Sequence, residues 1–313
     1  MQRASEDFLR VAAAVILRGR NEVLLAQRPR GKPYAGYWEF PGGKIEAGET
    51  AAQALARELH EELGIEVRRA YPWITRVFVY EHATVRLNFF RVVQWGGEPH
   101  PKEGQAIRWQ RLDQPMPEPM LPANAPVLRS LALPLEYAIT DAQALGADEM
   151  LARIERRLST GLQLIQVRDK ALPDRAGFAR SVIELAHRHG AKVLVNGDEP
   201  AARSFGAAGV HWSAMTLDGA QNRPADMLCG ASCHTAAELE RAVSLDCDFA
   251  VLGPVRDTTT HAGVPTLNWE GFARLARGTS IPVFAIGGLR PADLDEARRS
   301  GAHGLAMIRG SWS

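Results

Sequence analysis

The chain has 313 residues, 46% of them apolar and 23% charged, and a formal net charge of +1. That length accommodates two domains of ordinary size, and the composition is that of a soluble globular protein. The near-neutral balance excludes a strongly basic surface wrapped on duplex nucleic acid, while a free nucleotide remains allowed because a metal ion supplies the charge it needs.

Cys229, Cys233 and Cys247 are few, odd in number and confined to the C-terminal half, which fits a reducing, cytoplasmic compartment. Cys229, Cys233 and His234 lack a fourth partner at zinc spacing. No signal segment is expected at the N-terminus, and Val11 to Leu17 is too short to cross a bilayer, so no membrane partner is expected.

Leu9 to Leu17 is apolar and β-prone, and Arg18 to Asn21 turns the chain into a second strand, Glu22 to Gln27. A loop rich in Arg, Gly, Pro and Tyr follows, Arg28 to Trp38, and then Glu39-Phe40-Pro41 leads into glycines. The next segment, Gly43 to Ile65, reads GKIEAGETAAQALARELHEELGI. Thr50 with Gln53 forms a capping box that opens a helix, and Gly64 stops it. Ala52, Leu55, Ala56, Leu59 and Leu63 fall in one arc of about 100°, the expected buried face. Glu58, Glu61 and Glu62 fill a neighbouring arc.

Carboxylates that close repel one another, and a fold keeps them when a hard cation neutralises them. Mg²⁺ is the oxygen-seeking candidate, with Mn²⁺ as the alternative. A Glu-rich helical face is also commonly just solvated. Against that reading stand glycines 42, 43 and 48, which let backbone approach a ligand, and Arg57, which can hold Glu49 or a phosphate.

After the helix, Trp73 to Tyr80, Thr84 to Trp95 and Ala106 to Leu112 read as strands, and Asn124 to Leu133 as a second helix. That order predicts a mixed sheet between helices. No Cys, Ser–His pair or Lys is positioned to form a covalent intermediate, so attack of water on phosphorus is the natural chemistry.

The pattern G-x5-E-x7-R-E-L-x-E-E-x-G-I is complete from Gly43 to Ile65 and resembles the box of the Nudix family. The resemblance implies an α/β/α sandwich in which Glu58, Glu61, Glu62 and the Gly43 carbonyl hold metal. Arg57 would orient the acids and Glu49 would be structural.

Trp38 to Glu46, Gly96-Gly97-Glu98-Pro99, Lys102-Glu103-Gly104-Gln105 and Pro122-Ala123-Asn124 resemble the MutT subfamily, which removes 8-oxo-dGTP. In that likeness Glu103 completes the metal site or acts as general base, Asn124 reads the oxidised purine, and Arg28 and Phe40 line the base pocket. An Asn side chain carries a donor and an acceptor, as reading a purine edge requires. The bland alternatives are a helix cap for Asn124, a loop charge for Glu103 and packing for Phe40. The implied reaction is Mg²⁺-dependent hydrolysis of 8-oxo-dGTP to 8-oxo-dGMP and pyrophosphate, a nucleotide-sanitising and mutation-avoiding activity. Alternatives are ordinary dNTPs, a nucleoside diphosphate sugar or a thiamine-precursor pyrophosphate.

Six prolines between Pro115 and Pro134 mark a boundary, dividing the chain into domains 1–132 and 133–313. Eight short apolar runs follow, at Glu136–Thr140, Leu162–Val167, Lys192–Val195, Gly209–Trp212, Met227–Ala231, Phe249–Leu252, Val283–Ile286 and Gly304–Met307. Helical segments at Asp148–Leu158, Asp174–His189, Thr235–Ser244, Trp269–Ala276 and Ala292–Gly301 alternate with several of them, predicting a compact (β/α)8 barrel of TIM type. Gly287-Gly288 and Arg309-Gly310-Ser311 sit where such barrels bind phosphate.

Tyr137 to Asp141, Gln166 to Lys170, Gly209-Val210-His211, Leu252 to Val255 and Ala285 to Gly288 resemble thiamine-phosphate synthase and its TenI relatives. A phosphorylated thiamine precursor held by Arg168, Lys170, Thr258, Thr259, Thr260, Gly287 and Gly288 is the ligand so implied. Three departures point to a degenerate barrel. The synthase's metal-binding Asn-Asp pair reads Asn196-Gly197, with Asp198 displaced by one. Trp212 to Thr216 carries no carboxylate, and Pro254 stands at the TenI histidine position. A ligand-binding or structural barrel is therefore expected, with a bifunctional synthase as the alternative.

Overall fold

The computed structural model describes residues 8–19, 21–81, 83–258 and 265–312. The chain divides between Ala132 and Leu133 into two compact units.

The first unit is built on β1 (Leu9–Arg18), the middle of a seven-stranded mixed sheet. It pairs antiparallel with β2 (Glu22–Gln27). β3 (Trp38–Glu39) adds to β2, and β4 (Gly42–Lys44) pairs antiparallel with β1. β5 (Glu66–Tyr80) forms one edge against β6 (Ala83–Gly96), which runs parallel to β1. β7 (Ile107–Arg111) adds to β2. Alternate residues of β1 face opposite sides, as a strand's two-residue period requires. Ala12, Ala14 and Ile16 pack with α1 (Ala51–Leu63), whereas Ala13 and Val15 pack with Val127 and Leu131 of α2 (Ala125–Leu131). The result is an α/β/α sandwich.

β5 starts at Glu66, well before the expected Trp73. Arg68, Arg69 and Pro72 obscure the strand in sequence, and all three are tolerated because β5 is an edge, where Pro forfeits no interior ladder bond. Before α2 a 3₁₀ turn, Pro122–Asn124, occupies what the sequence suggested as helix start.

The second unit is a closed parallel barrel. Its strands are β8 (Glu136–Ile139), β9 (Leu164–Val167), β10 (Lys192–Asn196), β11 (Gly209–Trp212), β12 (Leu228–Cys233), β13 (Phe249–Leu252), β14 (Val283–Ile286) and β15 (Gly304–Met307). Around them lie α3 (Ala142–Leu145), α4 (Ala147–Ser159), α5 (Arg175–Arg188), α6 (Glu199–Phe205), α7 (Ala214–Gly219), α8 (Ala236–Ser244), α9 (Asn268–Ala276) and α10 (Leu294–Arg299). The expected set lacked α3, α6 and α7, which are too short to display a helical period. Tyr137, Phe249 and Phe284 fill the interior with ring centroids 5.1 to 5.9 Å apart. Among the described residues no helix is long and apolar enough to cross a membrane.

Candidate active site and barrel cavity

Helix α1 carries the acidic site, and its ends form as its sequence dictates. Gln53 N–H donates to Thr50 Oγ1 at 3.2 Å, Thr50 N–H donates to Gln53 Oε1 at 2.9 Å, and Gly64 closes the helix at φ 66°. The buried face differs from the expected arc. Ala54, Leu55, Leu59 and Leu63 are buried while Ala52 and Ala56 are exposed, a rotation of roughly 60° about the axis. Each buried leucine contributes about 1.5–3 kcal/mol of hydrophobic stabilisation. Glu58 and Glu62 consequently lie within the inward-facing arc, between Ala54 and the leucines, and only Glu61 faces solvent.

What makes room for inward carboxylates is the glycine strand β4. A Cβ on Gly43 would lie 2.1 Å from Glu58 Cδ and 2.3 Å from both of its oxygens, so the carboxylate can hold this position only while residue 43 is glycine. Gly42 N–H donates to Glu62 Oε2 at 3.2 Å. Arg57 holds the rest, with Nε 3.0 Å from Glu49, and Nη1 2.9 Å from Glu58 and 3.2 Å from Glu61. Those bonds raise the Arg57 pKa, Glu49 first and Glu58 second, and Arg57 in turn lowers that of Glu49. Burial pushes Glu62 up to about 7, opposed by Gly42 N–H and reinforced by Glu58, Glu103 and Glu39.

The loop bearing Glu103 is clipped to the end of α1. Lys102 N–H and Gln105 Nε2–H both donate to the Glu62 carbonyl, at 3.0 Å each. This brings the exposed Glu103 within electrostatic reach of Glu62, and its nearest cation is Lys32 at 3.5 Å. Among the described residues no three His, Cys, Asp or Glu side chains already converge as a ligand set, because Arg57 draws Glu58 and Glu61 toward itself. The donor set nonetheless fits a hard divalent cation. It is all oxygen, it is crowded with negative charge, and one member is a carboxylate raised by burial.

Of the expected base-pocket residues, Asn124 is buried and makes no helix-capping bond; its side chain makes a weak contact, Nδ2 to Met120 Sδ at 3.8 Å. Arg28 pairs with Glu39 at 2.6 Å. Phe40 is a core residue, packed edge-to-face on Phe89 with centroids 5.8 Å apart. Sequence reasoning passed over Glu39, whose pKa burial raises against the pull of Arg28. It also passed over Tyr80, pushed up to about 12 by burial and then by Glu39. Glu39 stands one residue before Phe40, and its position beside the acidic box was the available signal.

In the barrel, Arg168, Thr258, Gly287 and Gly288 line a cavity of about 800 Å³ at the C-terminal ends of the strands. Lys170 lies close enough to depress the pKa of His211, while Thr259 and Thr260 fall outside the described residues. Asp198 accepts a hydrogen bond from Ala201 N–H at 2.8 Å as the cap of α6. Gly197 before it has φ 140°. Ser232, unremarked in the sequence, also lines the cavity.

The NUDIX domain family model matches residues 8–131, and the thiamine monophosphate synthase model matches residues 136–310. An 8-oxo-dGTP diphosphatase of Proteus vulgaris is 44% identical over 31% of this chain and 86% of its own. That of Escherichia coli is 37% identical over 39% of this chain and 95% of its own. A Geobacter sulfurreducens protein provisionally named a thiamine-phosphate synthase is 37% identical over 55% of this chain and 84% of its own. The chain therefore belongs to the Nudix family through its first unit and to the thiamine monophosphate synthase family through its second. Its first unit is a Nudix pyrophosphohydrolase.

Proposed function

We propose that the first unit hydrolyses oxidised purine nucleoside triphosphates, 8-oxo-dGTP above all, to the monophosphate and pyrophosphate. The observation that carries this reading is the inward pair Glu58 and Glu62 packed on the glycine strand. It is supported by the names of relatives 37–44% identical to this unit. Glu58, Glu61, Glu62, Glu103 and the Gly43 carbonyl would hold Mg²⁺. When bound, that ion supplies the charge that draws the polyphosphate and acidifies water.

The chain's own residues do the rest. Arg57 fixes the directions of Glu58 and Glu61, and Gly42 N–H fixes Glu62. Glu103 either completes the Mg²⁺ ligand set or takes the proton of the attacking water. Asn124, buried and without a capping bond, offers donor and acceptor to the base, and Arg28 is held by its Glu39 partner.

Hydrolysis rates for 8-oxo-dGTP, dGTP, a nucleoside diphosphate sugar and a thiamine-precursor pyrophosphate test this. A clear preference for the oxidised guanine nucleotide is expected, and equal rates would sink the reading. A second reading, thiamine-phosphate synthase activity in the barrel, is favoured by the family match to residues 136–310. Formation of thiamine phosphate from its two phosphorylated precursors would establish it. The capping role of Asp198 speaks against it.

A further inference from the structure

The barrel cavity opens over polar side chains drawn from five strands, four of these side chains buried. Asn196 Nδ2–H donates to Gln166 Oε1 at 3.2 Å, and Gln166 Nε2–H donates to the Tyr137 hydroxyl at 3.1 Å. That hydroxyl is 3.2 Å from His211 Nδ1, and His211 Nε2 is 2.9 Å from Ser232 Oγ. Tyr137, Gln166 and His211 are at most 2% exposed, so their protons must find acceptors within the protein.

The direction of every bond then follows. The Tyr137 oxygen accepts from Gln166, and His211 Nδ1 is the acceptor within reach of its O–H. Burial, and then the charge of Lys170, push the His211 pKa down to about 3, so the ring is neutral. A neutral ring that accepts at Nδ1 carries its proton on Nε2. Nε2–H donates to Ser232 Oγ, which leaves the Ser232 O–H to point into the cavity. At the other end Asn196 gives its amide hydrogen to Gln166 and keeps its carbonyl oxygen for the cavity. The floor thus shows a donor and an acceptor from strands two apart, about 10 Å between backbones.

The anion end is different in kind. Among the described residues no Asp or Glu lines the cavity. Arg168 and Arg309 line it without an ion-pair partner among the described residues, beside Gly287 and Gly288 at φ 112° and 64°. Such a lining attracts an anion and repels a divalent cation, so it suits a monophosphate rather than a metal-chelated polyphosphate. A cavity of about 800 Å³ holds a nucleotide. A thiazole ring has no N–H to give the Asn196 oxygen, whereas a guanine ring has N–H donors at N1 and N2 and a C=O acceptor at C6, to which the 8-oxo form adds N7–H and C8=O.

We propose that the barrel binds a purine nucleoside monophosphate directly, without a divalent metal, its ring between Ser232 and Asn196 and its phosphate on Arg168 and Arg309. The choice of purine rests on the hydrolase reading above, since that reaction releases such a compound.

The test is calorimetric titration of the full-length protein in EDTA with 8-oxo-dGMP, dGMP, inorganic phosphate, a thiazole monophosphate and an aminopyrimidine monophosphate. One EDTA-resistant site for the purine nucleotides is expected, retained in Asn124→Ala and weakened about tenfold in Ser232→Ala. Tyr137→Phe removes the proton that sets the His211 tautomer. In that variant the ¹⁵N shifts of the His211 ring should move from the Nε2–H form toward a mixture, and purine affinity should fall by a similar factor. The proposal is overturned if no EDTA-resistant site exists or if Ser232→Ala leaves it unchanged. It is equally overturned if phosphate or either thiamine-type compound binds as tightly as the purine nucleotides. Absence of an oxidised-guanine preference in the unmodified protein removes the hydrolase reading alone, because the barrel titration uses authentic monophosphate.

Discussion

In the first unit Glu58 and Glu62 lie against a glycine strand, with Glu61 and Glu103 on the exposed rim of the same cluster of negative charge, while the barrel cavity is lined by Arg168 and Arg309 and, among the described residues, by no carboxylate. Both regions fit phosphate ligands, yet the sign of the charge they present is opposite. An acidic site receives a polyphosphate only through a cation, and it is under electrostatic stress until one arrives. A basic site lined with glycine amides receives the anion itself. The difference predicts opposite responses to chelation: EDTA abolishes hydrolysis and leaves the barrel's affinity untouched.

The largest effect is expected from Glu62→Gln. Hydrolysis should fall by about 10³-fold or more, with unchanged far-ultraviolet circular dichroism; equal turnover would discard the assignment of the acids. The same variant should stabilise the metal-free protein. The folded Glu62 pKa of about 7 exceeds its ordinary 4.5, so the folded chain binds more protons between those values and stability is lost as pH rises through them. Removing that charge should add about 1–2 kcal/mol at pH 8, read by denaturant unfolding in EDTA.

Gly43→Ala comes next. Its Cβ meets the flexible end of Glu58, so the carboxylate swings away at little cost to the fold. A displacement of about 1 Å at a reacting centre costs about 10²-fold in rate. A variant that lost stability in proportion to activity would count against this account. Asn124→Ala should act on selectivity, narrowing the 8-oxo-dGTP to dGTP ratio of kcat/KM about tenfold or more while the dGTP rate changes less.

The smallest effect separates the units by pH. His211, with a folded pKa of about 3 against an ordinary 6.5, contributes stability present above 6.5 and lost as pH falls toward 3. The barrel transition should therefore weaken on acidification while the first unit, in EDTA, gains. His211→Gln should flatten the barrel's dependence.

Much of this was legible in the sequence, for physical reasons that differ by element. Thr50, Gln53 and Gly64 announce α1 because caps depend on side chains only three residues apart. The eight barrel strands stand out because each is a run buried on both faces. The rotation of α1 was not legible, since it depends on β4 leaving space where Gly43 has no side chain. Nor was the route from Asn196 to Ser232. Its members come from five strands, and no local spacing links them.

Gly197 carries a consequence for any redesign of the barrel. Its φ of 140° lies where residues with a side chain are strained, and its N–H is already engaged by the His211 carbonyl at 3.1 Å. An aspartate introduced at this position, the step that would rebuild the synthase's acidic pair, would meet a backbone shaped for glycine, with the neighbouring Asp198 committed to its helix. Aspartate at this position alone is strained by about 1–3 kcal/mol, so building an Asn-Asp pair into this barrel calls for remodelling of the loop as well.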